Sequence, residues 1–165
     1  MKFAYADPPY YKHGKRLYSE LHSEAAIWDQ KETHLNLIQR LYEEYPDGFA
    51  LSASPTDLAW ILPQYPNLRV CVWAKTFHQI LAVTTQYAWE PVLLHGGRKV
   101  RTRKPFVRDW MSCTIAKKKG YPGAKPQAFN NWILDLLNYQ PGDILEDLFP
   151  GTGGMGVAVE LRNAV

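Results

Sequence analysis

"ILEDLFPGTGGMGVAVEL" occupies residues 144–161 and sets the terms on which the rest of the chain is read. An apolar run over 144–149 predicts a strand, and "GVAVEL" predicts a helix. Between them stand Gly151, Gly153, Gly154 and Gly156. Such a turn lets a ligand approach the backbone, because the side chains that would block it are missing, and the helix N-terminus behind it favours negative or polar groups. A strand, a glycine turn and a helix in succession are the building unit of an α/β protein.

Working back from that unit, strand and helix signals alternate. "KFAYA" (2–6) reads as a strand. Residues 30–45 place Leu35, Ile38, Leu41, Tyr42 and Tyr45 on one helical face, and "PDG" (46–48) ends that helix. "FALSAS" (49–54) is a second strand. "SPTDLAWIL" (54–62) opens with a serine cap and a proline at the first helical position, and Pro63 stops it. "LRVCVWAK" (68–75) and "EPVLLHG" (90–96) are almost continuously apolar, as buried strands of an α/β sheet are. A helix over 125–139 carries Phe129, Trp132, Ile133, Leu136 and Leu137 on one face. This order predicts a doubly wound α/β fold, whose ligands bind at the C-terminal ends of the strands. At 165 residues and 46% hydrophobic, the chain reads as one domain with a real core.

Charge is unevenly placed. Between Arg98 and Lys125 stand ten basic residues and one acid, a local +9, while the rest of the chain sums to −6. The basic residues are Arg98, Lys99, Arg101, Arg103, Lys104, Arg108, Lys117, Lys118, Lys119 and Lys125, and Phe106, Trp110 and Tyr121 interrupt them. By composition, such a run is either a solvated surface loop or a nucleic-acid surface whose aromatics stack on bases. Cys71 and Cys113 suggest neither a disulfide framework nor a zinc site, and the five histidines are scattered, so no metal is expected. With no leader-like start and no long apolar window, a cytoplasmic protein without a membrane partner is the expectation.

The second unusual strand end is Asp7-Pro8-Pro9-Tyr10, directly after "KFAYA". Taken with the glycine turn, it resembles the amino-methyltransferases that use S-adenosylmethionine to methylate exocyclic nitrogens of nucleobases. Their marks are a D/N/S-P-P-aromatic tetrapeptide and an F-x-G-x-G turn. The order here, with DPPY first, then a basic segment, "KP" at 125–126 and "DLFPGTG" last, resembles the permuted beta group of DNA amino-methyltransferases. "YAWEPVLLHGGR" (87–98) is similar to relatives encoded by phages and prophages, for which the compartment would be the bacterial host cytoplasm.

The resemblance implies a Rossmann-like S-adenosylmethionine-dependent methyltransferase fold, permuted and shortened at the C-terminus, spanning residues 1–165, with 98–124 as a target-recognition insertion. It implies transfer of a methyl group to the N6 of adenine in DNA, with RNA adenine-N6, DNA cytosine-N4 and non-catalytic nucleic-acid binding as alternatives. Asp7 and the carbonyl of Pro8 would accept the amino hydrogens, Pro9 would stiffen the turn, and Tyr10 would stack on the extruded base. The cofactor would lie against Phe149, Gly151, Thr152 and Gly153, with Lys125 near its carboxylate. Asp147 either contacts the cofactor or caps the loop. Segment 12–24, with Trp28 and Asp29, is either a lid or a surface loop.

The pattern departs from the family at its end. An acid for the ribose hydroxyls is expected about 20 residues beyond the glycines, whereas nine residues follow Gly156. Two strands of the family's sheet are therefore expected to be missing, and Glu160 is a poor substitute for the acid. A minimal enzyme, a second copy or other partner chain completing the site, a longer natural chain, or a binding module would each accommodate this.

Overall fold

The computed structural model describes residues 1–20, 23–77, 80–100, 106–116 and 124–164. Six strands form one sheet in the order β5-β3-β4-β2-β1-β6. They are β1 (Lys2–Ala6), β2 (Gly48–Ser52), β3 (Arg69–Lys75), β4 (Trp89–Gly96), β5 (Trp110–Cys113) and β6 (Ile144–Asp147). β1 pairs parallel with β2 on one side and β6 on the other. β4 runs antiparallel to both neighbours, and β3 pairs parallel with β5. Five strands thus point one way and β4 the other.

The helices divide between the faces. α2 (Lys31–Glu44) and the short α3 (Leu58–Ile61) cover one, where Ile38, Leu41, Phe49 and Leu93 are fully buried. α4 (Gln127–Leu137) and α5 (Gly154–Asn163) cover the other, over Phe3, Cys71 and Trp73. The buried face of α2 is rotated from the expected one: His34 and Leu37 are buried and Leu35 is only half-buried. Burying the ring of His34 is compatible with its polar edge because Nε2 lies 2.9 Å from the Trp28 carbonyl. α4 ends at Asn138, which takes a left-handed φ of 51°, and the Tyr139 N–H closes the last turn on the Leu134 carbonyl at 2.9 Å.

Two other expectations need correction. The predicted helix at 54–62 is a 3-10 turn (Pro55–Asp57) followed by α3, and the Ser54 hydroxyl bonds Thr56 rather than capping. β5 lies inside the basic stretch, where no strand was expected. β6 lies parallel beside β1 at the edge of the sheet.

That edge position does not separate the two motifs. The Leu148 N–H donates to the Tyr5 carbonyl at 3.0 Å, so the chain leaving β6 stays tied to the end of β1. At the opposite end of the sheet, Asp143 receives the N-terminal ammonium and the Arg98 guanidinium, each at 2.6 Å.

Candidate active site

A cleft of about 720 Å³ opens where β1 and β6 end. Asp7 and Pro9 line it from the first turn; Asp147, Phe149, Gly151 and Thr152 line it from the second. The glycine turn depends on its residue types. Gly151 and Gly153 have φ of +47° and +76°, a region that costs side-chain-bearing residues free energy. At Gly154 the constraint is space, since a Cβ would stand 2.8 Å from Nδ2 of the buried Asn130 on α4.

The segment after DPPY forms the remaining wall. α1 (Gly14–Tyr18) and a 3-10 turn (Ala25–Asp29) are joined by the Asp29 carboxylate, which accepts the N–H groups of Gly14 and Lys15 at 2.8 and 3.2 Å. A Cβ on Gly14 would meet the Ala25 carbonyl oxygen at 2.1 Å, so the two pieces pack backbone to backbone. Trp28 sets its edge against Phe149, with ring centroids 5.1 Å apart. Tyr18, Glu24 and Ile27 join it along the cleft.

Behind Asp7 lies a chain of alternating charges. The Lys125 ammonium is 3.1 Å from Asp7 Oδ1 and 3.0 Å from Glu90 Oε2, and Glu90 also pairs with Lys75. The Tyr10 hydroxyl donates to Glu90 Oε2 at 2.6 Å and accepts from Lys125 at 3.1 Å. Lys125 is 9% exposed and lies within 5.8 Å of the ring centres of Tyr10, Trp73 and Phe129. Buried charges persist only when paired.

The network divides the protonation states. Burial disfavours the charged form of Glu90, but Lys125 and Lys75 outweigh it and hold the carboxyl at about 2. Asp7 goes the other way: burial raises its pKa, aided by Glu90 and opposed by Lys125. Lys125 stays firmly protonated, because Asp7 and Glu90 overcome its desolvation. Tyr10 is held neutral by burial and by the neighbouring carboxylates.

Asp147 both lines the cleft and caps the loop, accepting the Phe149 N–H at 3.2 Å. Burial pushes its carboxyl from 3.8 up to about 6. The sign is that of a raised acid: the group costs nothing while neutral in both states and penalises the fold once ionised. Asp147→Asn is therefore expected to gain stability on the wild type as pH rises through about 4 to 6. After allowance for its partial exposure the gain is about 1–2 kcal/mol, read as the difference in Tm between about pH 3.5 and pH 7.5.

The structure brings together Asp7, Pro9, Lys125, Asp147, Phe149, Gly151 and Thr152 on one cleft. Pro8 is buried beneath the turn, Gly153 starts α5, and Tyr10 turns its hydroxyl to Glu90. Lys125, expected near the cofactor's carboxylate, lines the cleft with its ammonium on the carboxylates of Asp7 and Glu90. Of the basic set, Arg98 is engaged with Asp143 at the far end of the sheet, Lys99 is exposed, and Arg108 is exposed beside Trp110. Arg101, Arg103, Lys104, Lys117, Lys118 and Lys119 lie outside the described residues. Glu90 and Lys75 had not been singled out; the one sequence signal was a lone acid opening an otherwise apolar strand.

No protein-family model matches the chain, and no curated protein matches it. Among solved structures, the crystal structure of the M1.HpyAVI–SAM complex is similar with a TM-score of 0.60 and 17% identity, over 98% of this chain and 78% of that one. The crystal structure of M1.HpyAVI is similar with a TM-score of 0.54 and 16% identity, over 98% and 76%. The likeness establishes the fold: a mixed α/β sheet shared with a structure solved in complex with SAM. Among the described residues no helix is long and apolar enough to cross a membrane.

Proposed function

We propose that this chain transfers a methyl group from S-adenosylmethionine to the exocyclic N6 of adenine in DNA, and that it is a permuted, beta-group amino-methyltransferase. The observation that carries this reading is the meeting of Asp7 with the Phe149–Gly153 turn on one cleft, although about 140 residues separate them in sequence. The similarity in fold to a structure solved with SAM supports it.

The residues present fit that cofactor. The cleft has the room, the N-terminus of the ten-residue α5 supplies unpaired N–H groups for a carboxylate, and two acids, Asp147 and Glu24, are available to ribose hydroxyls. When bound, S-adenosylmethionine supplies a methyl group already activated on a sulfonium. What remains for the protein is the nucleophile. An exocyclic amino group is weak because its lone pair is delocalised into the ring. Asp7 and the Pro8 carbonyl accept its two hydrogens, which draws the nitrogen toward a tetrahedral arrangement and aims the lone pair into the cleft. On taking the methyl group the nitrogen would have to shed a proton. The raised Asp7 carboxyl suits it to receive that proton, and Lys125 steadies its charge beforehand. Segment 98–124 serves as the target-recognition element in this reading.

The test is to incubate the protein with S-adenosylmethionine and unmethylated DNA, with RNA in parallel, and to quantify methylated nucleosides by mass spectrometry. N6-methyladenine in the DNA sample is expected. Product confined to RNA, N4-methylcytosine, or no product in either sample would each overturn the reading as stated.

A further inference from the structure

The strand register gathers exposed and half-buried residues on one region of the sheet. Trp110 pairs with Val72, which pairs with Pro91; Ser112 pairs with Ala74, which pairs with Trp89. Paired residues share a face, and so do alternate residues along a strand. Trp110, Val72, Ser112, Ala74 and Trp89 therefore share the face opposite α4, since the intervening Trp73 is buried against Phe129 of that helix. On their own face the α2–α3 layer reaches Val70 and Leu93. Beyond it Trp110 is 50% and Trp89 37% exposed. Large indoles at that exposure on the two strands flanking β3 mark a contact surface.

We propose that this face of β5, β3 and β4 is a stacking platform for an unpaired DNA strand, with Trp110 and Trp89 as its aromatic contacts; the proposal rests on the reading of the chain as a DNA methyltransferase. Three observations select that occupant. First, β5 sits in a stretch of sequence rich in Lys and Arg, and of its described members Lys99 and Arg108 are exposed, which suits a phosphate backbone and opposes a basic or purely apolar partner. Second, the Arg108 guanidinium lies over the Trp110 ring at 5.8 Å, so cation and aromatic face are presented together. Third, Trp89 opens the antiparallel β4 at the edge of the sheet where β1, β2 and β3 end, the edge from which the DPPY turn leaves.

The geometry also selects an unpaired strand. The two tryptophans are separated by two strand spacings and two residues, about 12 Å between backbone positions. The side chains between them, Val72, Ala74 and Ser112, are short. Bases can lie against such a shelf only when their faces are free, which a duplex does not allow. Stacking of this kind tolerates any sequence, so the platform would hold nucleotides flanking the target and leave the reading of sequence to other residues.

The probe is a fluorescein-labelled mixed-sequence DNA 12-mer, titrated by anisotropy into the full chain as a single strand and as a duplex, with the RNA strand in parallel. Trp110→Ala and Trp89→Ala are each expected to weaken single-strand binding by roughly 5- to 150-fold. Trp110→Phe should retain most of it, duplex binding should change little, and thermal melting should be preserved because both rings are exposed. Unchanged single-strand binding in both alanine variants, an equal loss for duplex, tighter binding of RNA than DNA, or a change of oligomeric mass in the variants would overturn the platform. Methyl transfer by wild type together with tryptophan-independent binding would sink the platform alone. Tryptophan-dependent binding without any transfer would sink the enzymatic reading alone.

Discussion

Asp7→Asn is expected to lower the rate of methyl transfer by roughly 10²–10³-fold, the scale seen when one preorganised hydrogen-bonding partner of a reacting group is lost. The amide is nearly the same size, so packing in the turn survives. What changes is chemical: the carboxylate oxygen that in the proposed reaction would accept from the amino group, and take its proton, becomes a group with a donor in place of one acceptor. Lys125 also loses one of its two anionic partners, but Glu90 still holds it at 3.0 Å. Cofactor affinity should stay within a few-fold, because the glycine turn belongs to a different loop. Single-turnover kinetics alongside equilibrium binding of S-adenosylmethionine separate the two. A variant that keeps its rate removes Asp7 from the reaction, and one that loses cofactor binding as well makes its role structural.

Glu90→Ala is the most destabilising single change expected, at about 3–5 kcal/mol. Glu90 is the anion between two cations, Lys75 and Lys125, and its side chain is 16% exposed. Removing it leaves Lys125, itself only 9% exposed, to share Asp7 alone, and removes the acceptor of the Tyr10 hydroxyl. Urea melts at neutral pH measure the loss. Because the wild-type carboxyl titrates near 2, Glu90 contributes its full share above its unfolded value, near 4.5. The gap between wild type and variant should therefore be constant from about pH 6 to 8 and shrink only as pH falls toward 2. A difference below about 1 kcal/mol would mean that the network relaxes into solvent when its centre is removed.

How much of this was legible in the sequence depended on how far apart the deciding residues lie. The DPPY turn and the glycine turn are each contiguous, and the backbone states they require follow from proline and glycine locally, so both ends of the cleft were visible. β4 was found as a strand but its direction was not. Its residues are apolar toward both faces, which reads the same in either orientation, and only pairing with β2 and β3 decides it. β5 was missed because four residues of alternating exposure inside a lysine- and arginine-rich run carry almost no periodic signal. Glu90 was missed because its meaning comes from Lys75 and Lys125, 15 and 35 residues away. The rotation of α2 has the same origin: a histidine can take a core position once a carbonyl from a separate turn receives its ring nitrogen.

The pairing of β1 with β6 has a consequence for how the protein comes into being. Lys2 sits opposite Ile144, and the ammonium of Met1 closes on Asp143, so β1 finds its outer neighbour only after some 140 further residues have been synthesised. Contacts of such long separation form late and slow folding. During translation one edge of β1 stays open while the rest of the sheet assembles, the stage at which an unpaired strand is most exposed to wrong partners. Until the chain has been made through Gly154, Asp7 has no cleft to face, so the candidate site and the sheet are completed in one step.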